Sequence, residues 1–300
     1  MLALPRFWFD NLRKAVGIYM IKKVLAVLAI MSLAVFAASC GEAQEGTPDT
    51  KSASSEKAAE KETLPDTTAA EETAAEKTGF DKSKLKKDSS GFLTYSDSST
   101  TSEIGIDVSS YSGEIDWNYV AESGVTFAII RAGGRGYGDE GAMYSDESLT
   151  LNLSGASAVG IKTGVYFFSQ AVTAEEAEEE ADYVLNLIDG RNVTWVAYDF
   201  EHIKDDDART DKVKDSEIPA LAQAFCDRIK TKGYKPLIYV EAENSAVYKD
   251  VADIPLWLAQ YEGTPEITEQ VYIWQYSKTG TIDGVSGSVD LNIMFERKQR

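Results

Sequence analysis

The chain holds 300 residues, with 30 Lys and Arg against 49 Asp and Glu and a formal charge of −19. A polymer this acidic is repelled by a phosphate backbone, which excludes nucleic acid as a partner. Two cysteines and one histidine exclude a disulfide framework and a zinc site built from Cys and His, so no metal or cofactor is expected.

Lys22-Lys23 precede an apolar run from Val24 to Ala38 that closes on small residues, the layout of an export signal over residues 1–40. The run is shorter than the roughly 20 residues that span a bilayer. Ala37-Ala38-Ser39-Cys40 resembles the bacterial lipoprotein processing box, in which the cysteine is lipidated and becomes the first residue of the mature chain; Ala37 stands where leucine is commoner. Lipid on Cys40 would hold the protein on the outer face of the cell membrane, whereas an ordinary cleavable signal would release it. Met20-Ile21-Lys22-Lys23 also has the form of a start. Residues 41–102 are Ala, Ser, Thr, Glu, Lys and Asp with isolated Phe80, Leu85, Phe92, Leu93 and Tyr95. Such a stretch has too little apolar surface to fold and is expected to be a disordered tether.

From Glu103 onward, β-rich runs alternate with helical patterns, as parallel strands joined by crossover helices do. Strands are expected at Ile104–Val108, Thr126–Arg131, Lys162–Phe168, Thr194–Phe200, Pro236–Val240, Leu256–Gln260, Val271–Tyr276 and Ser288–Leu291. Helices are expected at Asp116–Ser123, Asp146–Val159, Thr173–Ile188, Glu217–Lys232 and Asn244–Lys249. Thr173 with Glu175 and Glu176 reads as a capped start, and Ile218, Leu221, Ala222, Phe225 and Ile229 form an apolar stripe that Gly233 ends. Cys226, beside that stripe, reads as a small buried hydrophobe. Eight strands with five helices predict an α/β fold, an abbreviated and flattened TIM-like barrel over residues 103–296 with a tail at 297–300.

Chemistry in such barrels sits at the C-terminal ends of the strands. Thr194-Trp195-Val196-Ala197-Tyr198-Asp199-Phe200-Glu201 is an apolar run that ends in two acids one residue apart. Alternation turns Asp199 and Glu201 to one face, their alpha-carbons roughly 6.5–7 Å apart. A solvated acidic turn would explain the same stretch, since Lys204 and Asp205-Asp206-Asp207 follow. Asp107 and Asp290 fall at the first and last strands, which puts four acids on one rim. Glu241, also past a strand, reads as solvated.

In chain order, Gly105-Ile106-Asp107-Val108-Ser109-Ser110-Tyr111, Phe127-Ala128-Ile129-Ile130-Arg131-Ala132, Asp146 with Asn152, and Gly164-Val165-Tyr166-Phe167-Phe168 are followed by Asp199-Phe200-Glu201. Leu256-Trp257-Leu258-Ala259-Gln260-Tyr261, Trp274-Gln275-Tyr276 and Val289-Asp290-Leu291-Asn292 complete the series. Together these segments resemble the lysozymes of glycoside hydrolase family 25 from about Glu103 to Phe295. Phe167 stands where many members have histidine, a change expected to alter the pocket wall, and His202 reads as a surface or loop-packing residue.

The resemblance implies hydrolysis of the β-1,4 bond from N-acetylmuramic acid to N-acetylglucosamine in peptidoglycan glycan strands, the expected partner of a monomeric enzyme. Glycoside cleavage needs one protonated carboxyl and one ionised one. Glu201 is expected as general acid/base. Asp199 would steady an attacking acetamido group, in a retaining mechanism, or attack directly. Asp107 and Asp290 would hold the pair's geometry and ionisation. Tyr166, Trp274, Tyr111 and Tyr261 are the candidate sugar-binding aromatics. A glycosidase for another acetamido-sugar polymer, or a non-catalytic glycan-binding lipoprotein, are the alternatives.

Overall fold

The computed structural model describes residues 80–202, 207–251 and 253–298. The expected signal, Cys40 and the tether as far as residue 79 lie outside these residues. In chain order the elements are β1 (Leu85–Lys87), β2 (Leu93–Tyr95), β3 (Thr100–Val108), α1 (Trp117–Glu122), β4 (Phe127–Arg135), β5 (Met143–Ser145), α2 (Leu149–Ala158), β6 (Lys162–Ser169) and α3 (Ala174–Leu187). They continue with β7 (Trp195–Phe200), α4 (Ile218–Thr231), β8 (Lys235–Glu241), β9 (Leu256–Ala259), β10 (Val271–Gly280) and β11 (Val289–Arg297).

Eight of these strands close a barrel in the order β3-β4-β6-β7-β8-β9-β10-β11, and β11 returns to β3. Only β11 runs antiparallel to its neighbours in that ring, while β5 hangs on the outside of β4. The expected strands and the first four helices are therefore present, and the fifth helical stretch is a run of 3-10 turns, Ala242–Tyr248.

Strand alternation divides the apolar residues between two layers. Phe127, Ile129, Trp195, Ala197, Leu237, Trp257, Ile273 and Met294 pack inside the barrel. Gly105 is required there, because a Cβ on it would lie 2.2 Å from the Phe127 ring. Their neighbours in sequence, among them Ala128, Ile130, Val196, Tyr198, Ile238 and Leu258, face the helices. Those helices start and stop as their sequences dictate. Thr173 accepts a hydrogen bond from the Glu176 amide at the head of α3, with Glu175 and Glu176 against the positive end of the helix dipole. The α4 stripe is buried and Cys226 lies within it.

Among the described residues no crossover helix covers β10, β11 and the start of β3. Their outward side chains Trp274, Ile293 and Phe295 are covered instead by Tyr95, with Phe80, Leu85 and Leu93 around it. Phe80 stacks on Tyr95 at 4.5 Å and meets Phe295 edge-on at 5.4 Å. Tyr95 also donates to Asp97 at 2.6 Å and accepts from the Asp81 amide. The boundary of the expected tether at residue 102 is thus corrected: residues 80–102 pack onto the barrel as part of the folded domain. Its few apolar residues could not build a core of their own, but they complete one that the barrel leaves open. The expected tail is corrected as well, because β11 runs to Arg297 and the Lys298 amide donates to the Ser99 carbonyl.

A fragment starting at Glu103 should therefore be less stable than one starting at Phe80, because it bares Trp274, Ile293 and Phe295. Removing a buried aromatic such as Tyr95 typically costs about 3–5 kcal/mol. Thermal melts of the two fragments, with Tyr95→Ala in the longer one, should show both changes lowering the midpoint.

Candidate active site

The C-terminal ends of the parallel strands form one rim. Asp107 is the last residue but one of β3, Asp199 is the last but one of β7 with Glu201 directly after the strand, and Asp290 is the second residue of the antiparallel β11, directly across from Asp107. All four acids expected at the rim are brought together there.

They form two pairs. Asp199 is 4% exposed. Burial holds its carboxyl well above the usual range, followed by the Glu201 charge, a hydrogen bond shared with Glu201, and the Asp107 charge, while Arg131 opposes them. Its Oδ1 finds no hydrogen-bond donor among the described residues. Burial likewise lifts Asp107 to about 8, with the Asp290 charge adding to the effect and hydrogen bonds from Asn292 and Gln275 opposing it. Asp290 is raised by burial and hydrogen-bonded to Asp107. Like charges so close cannot both ionise, so each pair holds one proton between two carboxyls near neutrality.

The Asp107 pair rests on a polar lattice. Oδ2 of Asp107 accepts from Gln275 Nε2 at 2.7 Å and Asn292 Nδ2 at 2.8 Å. The Asn292 carbonyl accepts from the Trp257 indole at 2.8 Å, and the Gln275 carbonyl from Tyr261 at 2.7 Å and Tyr239 at 3.1 Å. Of the expected sugar-binding aromatics, Tyr166 faces inward on β6, edge-on to Trp257 at 5.9 Å, where the charges of Asp107, Arg131 and Asp199 act on it. Tyr261 joins the rim through Gln275, with the Lys278 ammonium 4.9 Å from its ring centre. Tyr111 stands 88% exposed on the turn after β3, and the Arg131 guanidinium lies 4.6 Å from its ring centre. Arg131 is itself held by Asp146 at 2.7 Å and donates to Ser110 at 3.0 Å.

Trp274 is not part of this set. It points out of the barrel under Tyr95, buried, with its indole donating to the Gln260 carbonyl at 2.8 Å. The one-residue offset from inward Ile273 and Gln275 puts it on the opposite face. The expected effect of Phe167 on the pocket wall is corrected for the same reason: Phe167 faces α3 and packs edge-on against Tyr183 at 6.0 Å. His202 is exposed and edge-on to Phe200, outside the carboxylate pairs. Glu241 is half-buried and borders, with Glu201, His202, Asp215 and Tyr248, a cavity of about 260 Å³. Burial pushes the Cys226 thiol up, far from the rim's chemistry. Among the described residues no group of His, Cys, Asp and Glu has the arrangement of a metal site.

Arg131, Tyr239, Gln275 and Asn292 carry the site without having been singled out from sequence. Gln275 and Asn292 had a readable signal. Each is an amide inside an apolar strand, and a buried polar group there needs a partner.

The raised Asp107 carboxyl makes stability fall with pH. Its unfolded value is the ordinary 3.8 and its folded value about 8, so the folded state binds the extra proton between those limits. The stabilisation is complete below about pH 4 and is lost as pH rises toward 8. Asp107→Asn should flatten the fall in melting midpoint across that window, and a variant with the wild-type slope would refute the assignment.

The family model described as Glycosyl hydrolases family 25 matches residues 106–285. Autolytic lysozyme from Clostridium acetobutylicum is 31% identical over 198 residues, which cover 64% of this chain and 56% of that protein. This chain therefore spans little more than half of that relative. Lysozyme M1 from Streptomyces globisporus is 30% identical over 212 residues, 64% of this chain and 68% of its own. The crystal structure of the bacterial lysozyme from Streptomyces coelicolor superposes with a TM-score of 0.53 at 27% identity, over 63% of this chain and 90% of that one.

Proposed function

Because the chain belongs to glycosyl hydrolases family 25, we propose that it is a lysozyme that hydrolyses the β-1,4 bond between N-acetylmuramic acid and N-acetylglucosamine in peptidoglycan. The observation that carries this reading is the Asp199–Glu201 pair, two hydrogen-bonded carboxyls sharing a proton at the tip of β7. The proton that the pair shares leaves through Glu201, the more exposed of the two, to the glycosidic oxygen as the bond from that oxygen to the anomeric carbon breaks, and this leaves Asp199 ionised. Positive charge then develops at the anomeric carbon. Asp199 meets it, through the 2-acetamido group of the sugar or directly, and its unpartnered Oδ1 is the atom left for that contact. Water then attacks the anomeric carbon and returns its proton to Glu201.

Inversion would need the two carboxyls far enough apart to admit a water, at roughly 6.5–9.5 Å. A pair in direct hydrogen bond leaves no such space, which supports retention. Asp107 and Asp290 keep a second negative charge beside the pair. Tyr111, Tyr166 and Tyr261 offer rings at the rim for the sugar faces. The export signal, with lipid on Cys40, supports action outside the cell from the membrane surface. Among the described residues no helix is long and apolar enough to cross a membrane. The four acids all come from one chain, so a monomer suffices.

Mass spectrometry of fragments from purified peptidoglycan should show reducing muramic-acid ends. Glu201→Gln should abolish their release while glycan binding persists, and near-normal turnover would remove Glu201 from the role of acid. Asp199→Asn should cost about 10²–10⁴ in kcat, the usual range for a lost acid/base partner. Release of fragments from chitin alone would redirect the substrate assignment.

A further inference from the structure

Glu201 is gripped from the side away from the Asp107 lattice. Gln170, directly after β6, is fully buried. Its Nε2 donates to the main-chain carbonyl of Glu201 at 3.2 Å and to the Ser169 carbonyl at 3.0 Å, and its Oε1 accepts from the Thr210 hydroxyl at 2.9 Å. One amide thus joins the chain at Glu201 to the chain at Thr210. The Gln170 main-chain N–H donates to Glu180 Oε1 at 3.2 Å. Glu180, inside α3 and fully buried, also accepts from Ser169 Oγ at 2.6 Å and Arg135 Nε at 2.8 Å. Arg135 in turn donates to the carbonyls of Gly141 and Glu176.

This arrangement is more than the backbone needs. A buried acid and base contribute little net stability compared with apolar residues of the same volume. What they supply here is a fixed frame for Ser169 and Gln170, and through Gln170 for the main chain that carries Glu201. We propose that Gln170 is a positioning residue for the reaction, setting the Glu201 carboxyl against that of Asp199, with the Glu180–Arg135 pair holding Gln170 in turn. The inference rests on Glu201 being the acid.

A misplacement of about 1 Å costs up to about 100-fold in rate. Gln170→Met keeps the length and volume of the side chain but removes all three hydrogen bonds of its amide. In the full chain it should lower kcat at least about tenfold with KM within about twofold, the mark of an interaction realised in the transition state. The bell-shaped pH profile should also narrow, because a looser pair splits its two titrations less. Ile229→Ala, which opens a cavity in the α4 core away from the rim, is the control for destabilisation alone. It should lower the melting midpoint without moving kcat or the width of the bell.

Wild-type kcat and bell width in Gln170→Met would overturn the inference, as would equal losses in Ile229→Ala. If Gln170→Met does not fold, Thr210→Val removes only one anchor and should give a smaller fall in kcat with the same narrowing; an unchanged profile there overturns the inference too. Glu201→Gln assayed alongside separates the two levels. An inactive Glu201→Gln beside an unaffected Gln170→Met leaves the lysozyme reading standing alone, and an active Glu201→Gln removes its foundation.

Discussion

Asp107 sits inside the barrel with its charge compensated by amides and not by a cation, and much of the rim follows from that. Leaving a carboxylate buried and unpaired costs several kcal/mol. Two donors to a charged group return about 1.5–3 kcal/mol each, so Gln275 and Asn292 approach a balance only while no second charge intrudes. The Asp290 charge does intrude, and the balance tips toward keeping a proton, which is the physical meaning of a value near 8. The amides cannot be left with orphaned carbonyls either. Trp257, Tyr239 and Tyr261 are recruited from β8, β9 and the chain just beyond β9 to satisfy them. One buried acid thus commits residues on β10 and β11, and through them the partners of those residues.

The barrel makes this possible by separating its interior into levels. Inward residues near the base are large and apolar, with Phe127, Trp195 and Met294 filling the floor. Two steps up each strand the inward positions turn polar: Asp107 above Gly105, Asp199 above Ala197, Gln275 above Ile273 and Asn292 above Met294. The antiparallel direction of β11 matters here, because it brings Asp290 and Asn292 to the rim from the start of a strand. In exchange, no helix among the described residues covers the sector around β10 and β11, and the segment from Phe80 to Tyr95 closes it.

What could be read in the sequence was whatever depends on local pattern. The eight strands and first four helices follow from composition, period and capping, and the acids at strand ends follow from those strands. The covering segment is different, because its apolar residues are sparse and find partners far along the chain, as Phe80 finds Phe295 more than 200 residues away. Trp274 and Phe167 fail for another reason. Period two says that neighbours face opposite ways without saying which is inside, and a one-residue error in phase carries a ring from the pocket to the outer layer. Gln170 had no local signal, since its value lies in reaching a carbonyl on the next strand's extension.

The carboxylate pair is therefore approached by two systems of different kinds. From one side Asp107, with Asp290, acts by charge, raising Asp199 across space. From the other, Gln170 acts by position on the main chain of Glu201, and its neutral amide adds little to the charge balance. The two demands conflict if met by one group. In the proposed mechanism, a cation close enough to hold Glu201 would lower its affinity for the proton it delivers, and an added carboxylate would raise Asp199 further and leave no ionised partner. Holding the acid by its backbone, with a side chain that carries no charge, leaves the proton balance to the acids themselves. The formal charges of the second system, Glu180 and Arg135, are accordingly paired with each other and reach Glu201 through Gln170.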